Sequence, residues 1–173
     1  MAGDISTFAL GESVVYAARP MRVAGVTVLE GASRQRTTRY LLEEAAGAPV
    51  LLEEGGGRFA LLRPFPRGAR PRAAGNVVTV GKEKYTLVGV RKLTQLGAEG
   101  KAAGGPPQAL LLLSGIFEGE AGTLMREMAP GTAGQVYYLM KTLDTGAVVS
   151  VAQHDAAKEA ERRAAGNRTG EQD

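Results

Sequence analysis

The sequence predicts a mainly β protein: two small SH3-like or OB-like β-barrel halves in tandem, related by an internal repeat, with a short C-terminal helix. Three observations predict it. Apolar residues recur at alternate positions in short runs, the spacing that buries one face of a strand. The 173 residues include 24 Gly and 8 Pro, many of them between those runs, where they mark turns. And the segment "SVVYAARPMRVAGVTVL" (13–29) is matched by "VVTVGKEKYTLVGVRKL" (77–93) without a gap, 64 positions on, with Val14 on Val78, Gly25 on Gly89, Val26 on Val90 and Leu29 on Leu93.

The elements follow in order. In the first half (8–65), strands are expected at 12–17, 20–30, 38–44, 49–54 and 57–63. The polar "AARP" separates the first two. "RYLLEEAAGAPVLLEE" (39–54) reads as two strands closed by a Gly-bearing turn, and "GGGR" (55–58) as the next hairpin turn. "RPFPRGARPRAAG" follows, and its core, 66–75, is read as a linker because Pro suits neither helix nor central strand. In the second half (76–153), strands are expected at 76–80, 83–93, 108–118, 134–142 and 146–152. "YYLMKTLDTGAVVSVAQ" (137–153) echoes 39–54, with Tyr138 on Tyr40, Leu139 on Leu41 and Gly146 on Gly47. The spacing between the echoes grows by about 35 residues, so 94–136 is read as an insertion. "GAEGKAAGGPP" (97–107) has loop composition. "DAAKEAERRAA" (155–165) is rich in helix formers, with Asp155 placed to cap it, and "GNRTGEQD" (166–173) is expected to be disordered.

Composition narrows function. There is no Cys, which removes disulfides, thiol nucleophiles and thiolate metal sites. His154 stands alone, so neither a metal centre nor a His-based acid–base scheme finds its usual partners; no cofactor is expected. Ser114 has no nucleophile-elbow context, and "GGGR" lacks the Lys-Ser/Thr ending of a phosphate loop. The N-terminus has no basic region before its apolar residues, and the longest apolar run, "ALLLL" (109–113), is too short to span a bilayer. The expectation is a cytoplasmic, non-enzymatic protein without a transmembrane segment.

Three surfaces stand out. In "SGIFEGEAGTLM" (114–125), Glu118 and Glu120 lie two residues apart, roughly 6.5–7 Å along one strand face. That separation approaches the one an inverting glycosidase uses. A charged hairpin rim is the simpler reading. The same stretch carries Leu124, Met125 and Met128, which in a flexible insertion would form an adaptable contact surface with Glu118 and Glu120. Arg63, Arg67, Arg70 and Arg72 crowd the linker, where guanidinium groups suit phosphate oxygens. No aromatic platform accompanies them, and the net charge is only +3.

The chain also resembles the bacterial domain-of-unknown-function family numbered 4178 over about residues 10–152. Met21, Val23 and Gly25 fit its first strand. Tyr40, Leu41 and Leu42, then Leu51, Leu52, Glu53 and Phe59, fit its "EYLL … WLVE … W" pattern. Tyr85, Leu87, Val88 and Arg91, the "EGE" of Glu118, Gly119 and Glu120, and Tyr138, Gly146 and Ser150 fit its second half. The family's tryptophans are absent: Arg39, Leu51 and Phe59 or their neighbours stand there. The resemblance implies a β-rich, twofold-repeated protein of no settled activity, accompanying membrane-stress and polyamine-related proteins. The function expected is therefore a non-catalytic adaptor module that docks a bacterial partner protein. The alternatives are nucleic-acid binding through the arginines and glycan hydrolysis through Glu118 and Glu120.

Overall fold

The computed structural model describes residues 8–44, 49–65, 68–101, 111–129, 135–144 and 148–170. Within them the chain is mainly β: β1 (Ser13–Tyr16), β2 (Arg19–Glu30), β3 (Arg36–Glu43), β4 (Val50–Gly55), β5 (Arg58–Pro64), β6 (Arg72–Ala74), β7 (Val77–Val80), β8 (Glu83–Gly100), β9 (Leu111–Gly119), β10 (Gly122–Met128), β11 (Gln135–Leu143) and β12 (Val148–Ser150), then α1 (Val151–Gly170).

These strands share one antiparallel sheet, ordered β12-β1-β2-β3-β4-β5-β11-β10-β9-β8-β7-β6. The expected pair of separate tandem barrels is therefore not resolved into two sheets. The sheet also closes on itself, because the second half of β2 pairs with the end of β8, from Gly25↔Gly100 to Glu30↔Thr94. Closure leaves eight strands in a ring and hangs β1, β12, β7 and β6 from it as short extensions. Gly25 makes the approach feasible: a Cβ there would collide with the backbone carbonyl oxygen of Lys101.

The register carries a correspondence between the two strand sets. The β2–β3 ladder jumps between Val23 and Gly25, and the β8–β9 ladder jumps between Leu87 and Gly89, 64 positions later in each case. β9 therefore holds beside β8 the place that β3 holds beside β2. The sequence match of Tyr40 with Tyr138 does not hold in space, since Tyr138 lies on β11 and pairs with Met125 and Pro64.

Apolar burial falls into layers. Val14, Met21, Val23, Tyr40, Leu42, Leu52 and Leu61 form one cluster, closed by Phe8 and by Leu143 and Val148. Val78, Tyr85, Phe117 and Leu124 form another on the second strand set. A third cluster lies between the sets, where Leu51 and Leu62 meet Met125 and Tyr138.

Three other expectations change. Beyond the expected strand at 108–118, seen as β9, residues 94–136 also hold the end of β8, all of β10 and the start of β11. Both faces of β10 are covered, Leu124 by one cluster and Met125 by another, so the one-sided pattern that marks a strand is missing. The linker contributes β6, which pairs with β7. The helix starts at Val151, directly after β12, so Asp155 lies inside it rather than at its cap, and it runs on through Gly170 where disorder is expected. Most of the 97–107 loop, the Gly47 and Gly146 turns and Arg67 lie outside the described residues.

Candidate functional site

The layer between the strand sets is not wholly apolar. Along β3, Arg39 shares a face with Leu41; along β4, Glu53 shares one with Leu51; along β10, Glu127 shares one with Met125. Strand alternation thus drives three charged side chains into the layer, where Arg39 and Glu127 are fully buried and Glu53 is 5% exposed. They survive there because they find each other. Arg39 Nη1 and Nη2 donate to Glu127 Oε1 and Oε2 at 2.6 Å each, a two-point contact, while its Nε donates to Glu53 Oε2 at 3.0 Å.

Arg91 completes the set from β8. Its Nη1 donates to Glu53 Oε1 at 2.5 Å, and its Nη2 lies 3.3 Å from Glu53 Oε2, Ser114 Oγ and Met125 Sδ. Ser114 Oγ in turn donates to Glu127 Oε2 at 3.3 Å. Two arginines and two glutamates cancel in charge. They also cross-brace the layer: Arg39 ties β3 to β10, and Arg91 ties β8 to β4.

The pairing sets the protonation of Glu53 and Arg39. Burial pushes the Glu53 carboxyl up, but the charge of Arg39 and the hydrogen bond and charge of Arg91 outweigh it, holding Glu53 below its ordinary value. Burial likewise works against the Arg39 charge, and Glu127 and Glu53 overcome it, so the guanidinium is held more firmly protonated than usual.

A cavity of about 1060 Å³ opens over this cluster, with Glu53 and Arg91 in its lining. The end of β2 and the turn after it, the starts of β3 and β5, β8 and β11 wall it. Arg36, Arg58 and Lys92 add positive charge, Glu30 adds the other carboxylate, and Phe59, Val90 and Met140 supply apolar surface. Arg91 is the link between the two environments: its side chain is 30% exposed, yet it reaches the buried carboxylate.

The surfaces read from sequence fall elsewhere. Glu118 and Glu120 are exposed at the β9–β10 hairpin, whose Gly119↔Gly122 pair leaves Glu120 and Ala121 as the loop; neither lines the cavity. Leu124 and Met125 are fully buried and Met128 is half-buried, so the expected exposed contact surface loses its apolar anchors to the core. Arg63 on β5 and Arg72 on β6 are exposed, as is Arg70 between them. None of these three lines the cavity. His154 sits in the first turn of α1, and among the described residues no three His, Cys, Asp or Glu side chains are grouped to hold a metal.

The inward direction of three of these charges was within reach of sequence reasoning. "RYL", "LLE" and "MRE" each place a charge in phase with a buried apolar residue two positions away. A charge in phase with a core face signals a buried, paired ion. Comparison of the chain with protein-family models, with curated proteins and with solved structures finds no match.

Proposed function

We propose that the chain is a non-catalytic binding module that docks a partner protein, and that an acidic segment of that partner sits in the cavity. One observation carries the reading. The cavity is lined by Arg36, Arg58, Arg91 and Lys92 against Glu30 and Glu53, and Glu53 is already held between two arginines. Counted alike, the four lining cations outnumber the two lining carboxylates, which favours an anionic partner and steers its approach. Phe59, Val90 and Met140 give such a segment apolar surface to cover.

The absence of chemistry is part of the reading. Glu53 is the carboxylate at the cavity floor, and both its oxygens accept hydrogen bonds from arginines. A carboxylate held ionised in this way is a poor proton donor near neutral pH.

We further read the two strand sets as repeats of one SH3-like unit that exchange their last short strands. β6 follows β5 but pairs with β7, while β12 follows β11 but pairs with β1. The matching ladder jumps at Val23/Gly25 and Leu87/Gly89 support this. The charged layer and its cavity would then be products of the fusion, because residues of both units build them.

The test is affinity purification of the full chain from its native cells, run beside an Arg58→Glu/Lys92→Glu variant. Both substituted residues are exposed on the cavity wall, so the variant is expected to fold. A stoichiometric partner held by the parent and lost by the variant supports the reading. Equal recovery by both moves the docking site elsewhere, and no stoichiometric partner under mild conditions refutes the adaptor function.

A further inference from the structure

β2 and β8 correspond at a distance of 64 positions, down to the bond where their hairpins with β1 and β7 end: Val23 N–H donates to Glu12 O at 2.9 Å, and Leu87 N–H donates to Asn76 O at 2.8 Å. Beyond that bond the two strands differ in what lies beside them. Over residues 25–30, β2 has β3 on one side and the end of β8 on the other, and Lys101 N–H donates to Ala24 O at 2.9 Å. Over the equivalent stretch β8 has β9 on one side. On its other side β7 pairs only as far as Thr86, and β2 begins only at Thr94. Among the described residues, no strand runs along residues 88–93 on that edge.

The cause is a difference in strand length. β8 continues past Thr94, the equivalent of Glu30, as far as Gly100, and this continuation is what covers β2. β2 stops at Glu30, and the chain turns away through Gly31 and a short 3₁₀ turn (Ala32–Arg34). The extension that would cover β8 is not made, and the cavity opens where it would run, with residues 90–94 of β8 in its lining. Two pairs of like residues record the difference. Val26 is packed in the core at 8% exposure, whereas Val90 is 64% exposed. A Cβ at Gly25 would strike the backbone of Lys101, whereas one at Gly89 meets nothing within 4 Å. Glycine inside a strand marks a place where another backbone comes close, and at Gly89 the approach is open.

We propose that this edge is a strand-addition site: an extended segment of the docked partner pairs antiparallel with residues 88–93 of β8, taking the place beside β8 that residues 95–100 take beside β2. The acidic character of the segment rests on the docking reading above; its strand conformation rests on the uncovered edge. The orientation follows the filled counterpart, where β2 and β8 run antiparallel. Edge N–H and C=O groups hold any extended backbone, and the side chains at alternate positions choose which one. Arg91 is turned to Glu53 and Leu93 is buried, while Val90 and Lys92 are exposed between them. An apolar residue opposite Val90 and an acid opposite Lys92, two positions apart on one strand face, meet both. The uncovered stretch is about 20 Å long. It is bounded by β7 at one end and by the turn after β2 at the other, which suits one short segment rather than the edge of another sheet.

The experiment titrates the full chain with the capped heptapeptide Thr-Glu-Thr-Val-Thr-Glu-Thr and follows backbone N–H signals and hydrogen exchange by NMR. Signals within residues 88–93 are expected to shift saturably and their exchange to slow. An added strand bonds through one of its own edges, so N-methylation of one set of alternate peptide amides should abolish binding and of the other set spare it. Gly89→Ala meets nothing in the free chain but would meet the incoming backbone, so it should fold as the parent does and weaken the peptide about tenfold. Binding that survives both methylated sets, or that Gly89→Ala leaves unchanged, overturns strand addition while the docking reading stands. Equal binding of the peptide with Lys in place of Glu overturns the acidic preference in both. A dimer of the chain that Gly89→Ala dissolves gives the edge to a second copy and overturns the peptide assignment. No binding at low salt also overturns strand addition, and the docking reading is then decided by the Arg58→Glu/Lys92→Glu comparison alone.

Discussion

Arg39 and Glu127 form a two-point ion pair with both side chains at zero exposure, 2.6 Å at each contact, joining strands of the two halves of the chain. Ion pairs this deep lose hydration that their attraction barely recovers, so their worth shows when one partner is removed. Glu127→Ala leaves Arg39 charged, buried and short of two acceptors, and should cost about 3–5 kcal/mol. Arg39→Met with Glu127→Leu removes both charges and should cost much less. Urea unfolding midpoints of the two variants check this; equal losses would show that the pair acts through packing rather than charge.

Glu53 gives the stability a pH dependence with a definite sign. Its folded pKa lies below the ordinary 4.5 because Arg39 and Arg91 outweigh the effect of burial. A carboxyl depressed in the folded state contributes stability that is fully present above its unfolded value and is lost as pH falls through the folded value. The chain should therefore hold its Glu53 contribution at pH 7 and lose it progressively as the pH drops below 4.5. Denaturant midpoints measured from pH 7 down to about pH 3 should decline, and Glu53→Gln should flatten part of that decline while lowering the midpoint at pH 7. A variant with the same acid slope as the parent would remove Glu53 from the titration.

How far the sequence foretells this molecule depends on whether a residue sees one environment or two. β1 to β5, β7, β9 and β11 have one polar face or clear turn residues at their ends, and all are legible as strands. β10 is covered on both faces and carries Glu127 inward, so its pattern resembles a loop. The end of β8, "TQLGAEG", reads as loop from its glycines, yet it is the strand that closes the ring against β2. The cluster was harder still. The phase of Arg39, Glu53 and Glu127 with apolar residues two positions away marks each as facing inward, but not which partner it meets. Their meeting depends on ring closure, a long-range event that no local pattern encodes.

That closure can be tested at two glycines that the sequence makes equivalent. Gly25 and Gly89 stand 64 positions apart, at the matching jumps of their ladders. A Cβ at Gly25 would strike the backbone of Lys101, whereas one at Gly89 meets nothing within 4 Å. Backbone cannot swing aside as a side chain does, so Gly25→Ala must push β8 from β2. It should cost about 1–3 kcal/mol or more, the range of overpacked sites. Gly89→Ala should be near neutral. Thermal melts of the two single variants decide the matter, and similar losses would mean that both sites respond to the bulge rather than to the closure.

The β1–β2 hairpin offers a gain instead of a loss. Tyr16 pairs with Arg19, leaving a two-residue loop in which Ala17 and Ala18 have φ of 51° and 62°. Left-handed backbone costs an L-residue about 1–2 kcal/mol, and the mirror-image turn that needs it at both positions is best served by Asn-Gly. The matching β7–β8 loop already places Gly81, at φ 62°, in the first of its two positions. Ala17→Asn with Ala18→Gly should therefore stabilise the chain by about 0.5–1 kcal/mol, since glycine gives back part of the relief as entropy in the unfolded chain. For a protein of this size that corresponds to a melting temperature raised by about 1–4 °C. A scanning-calorimetry melt without an upward shift would show that the strand pairs, rather than the loop residues, set this turn.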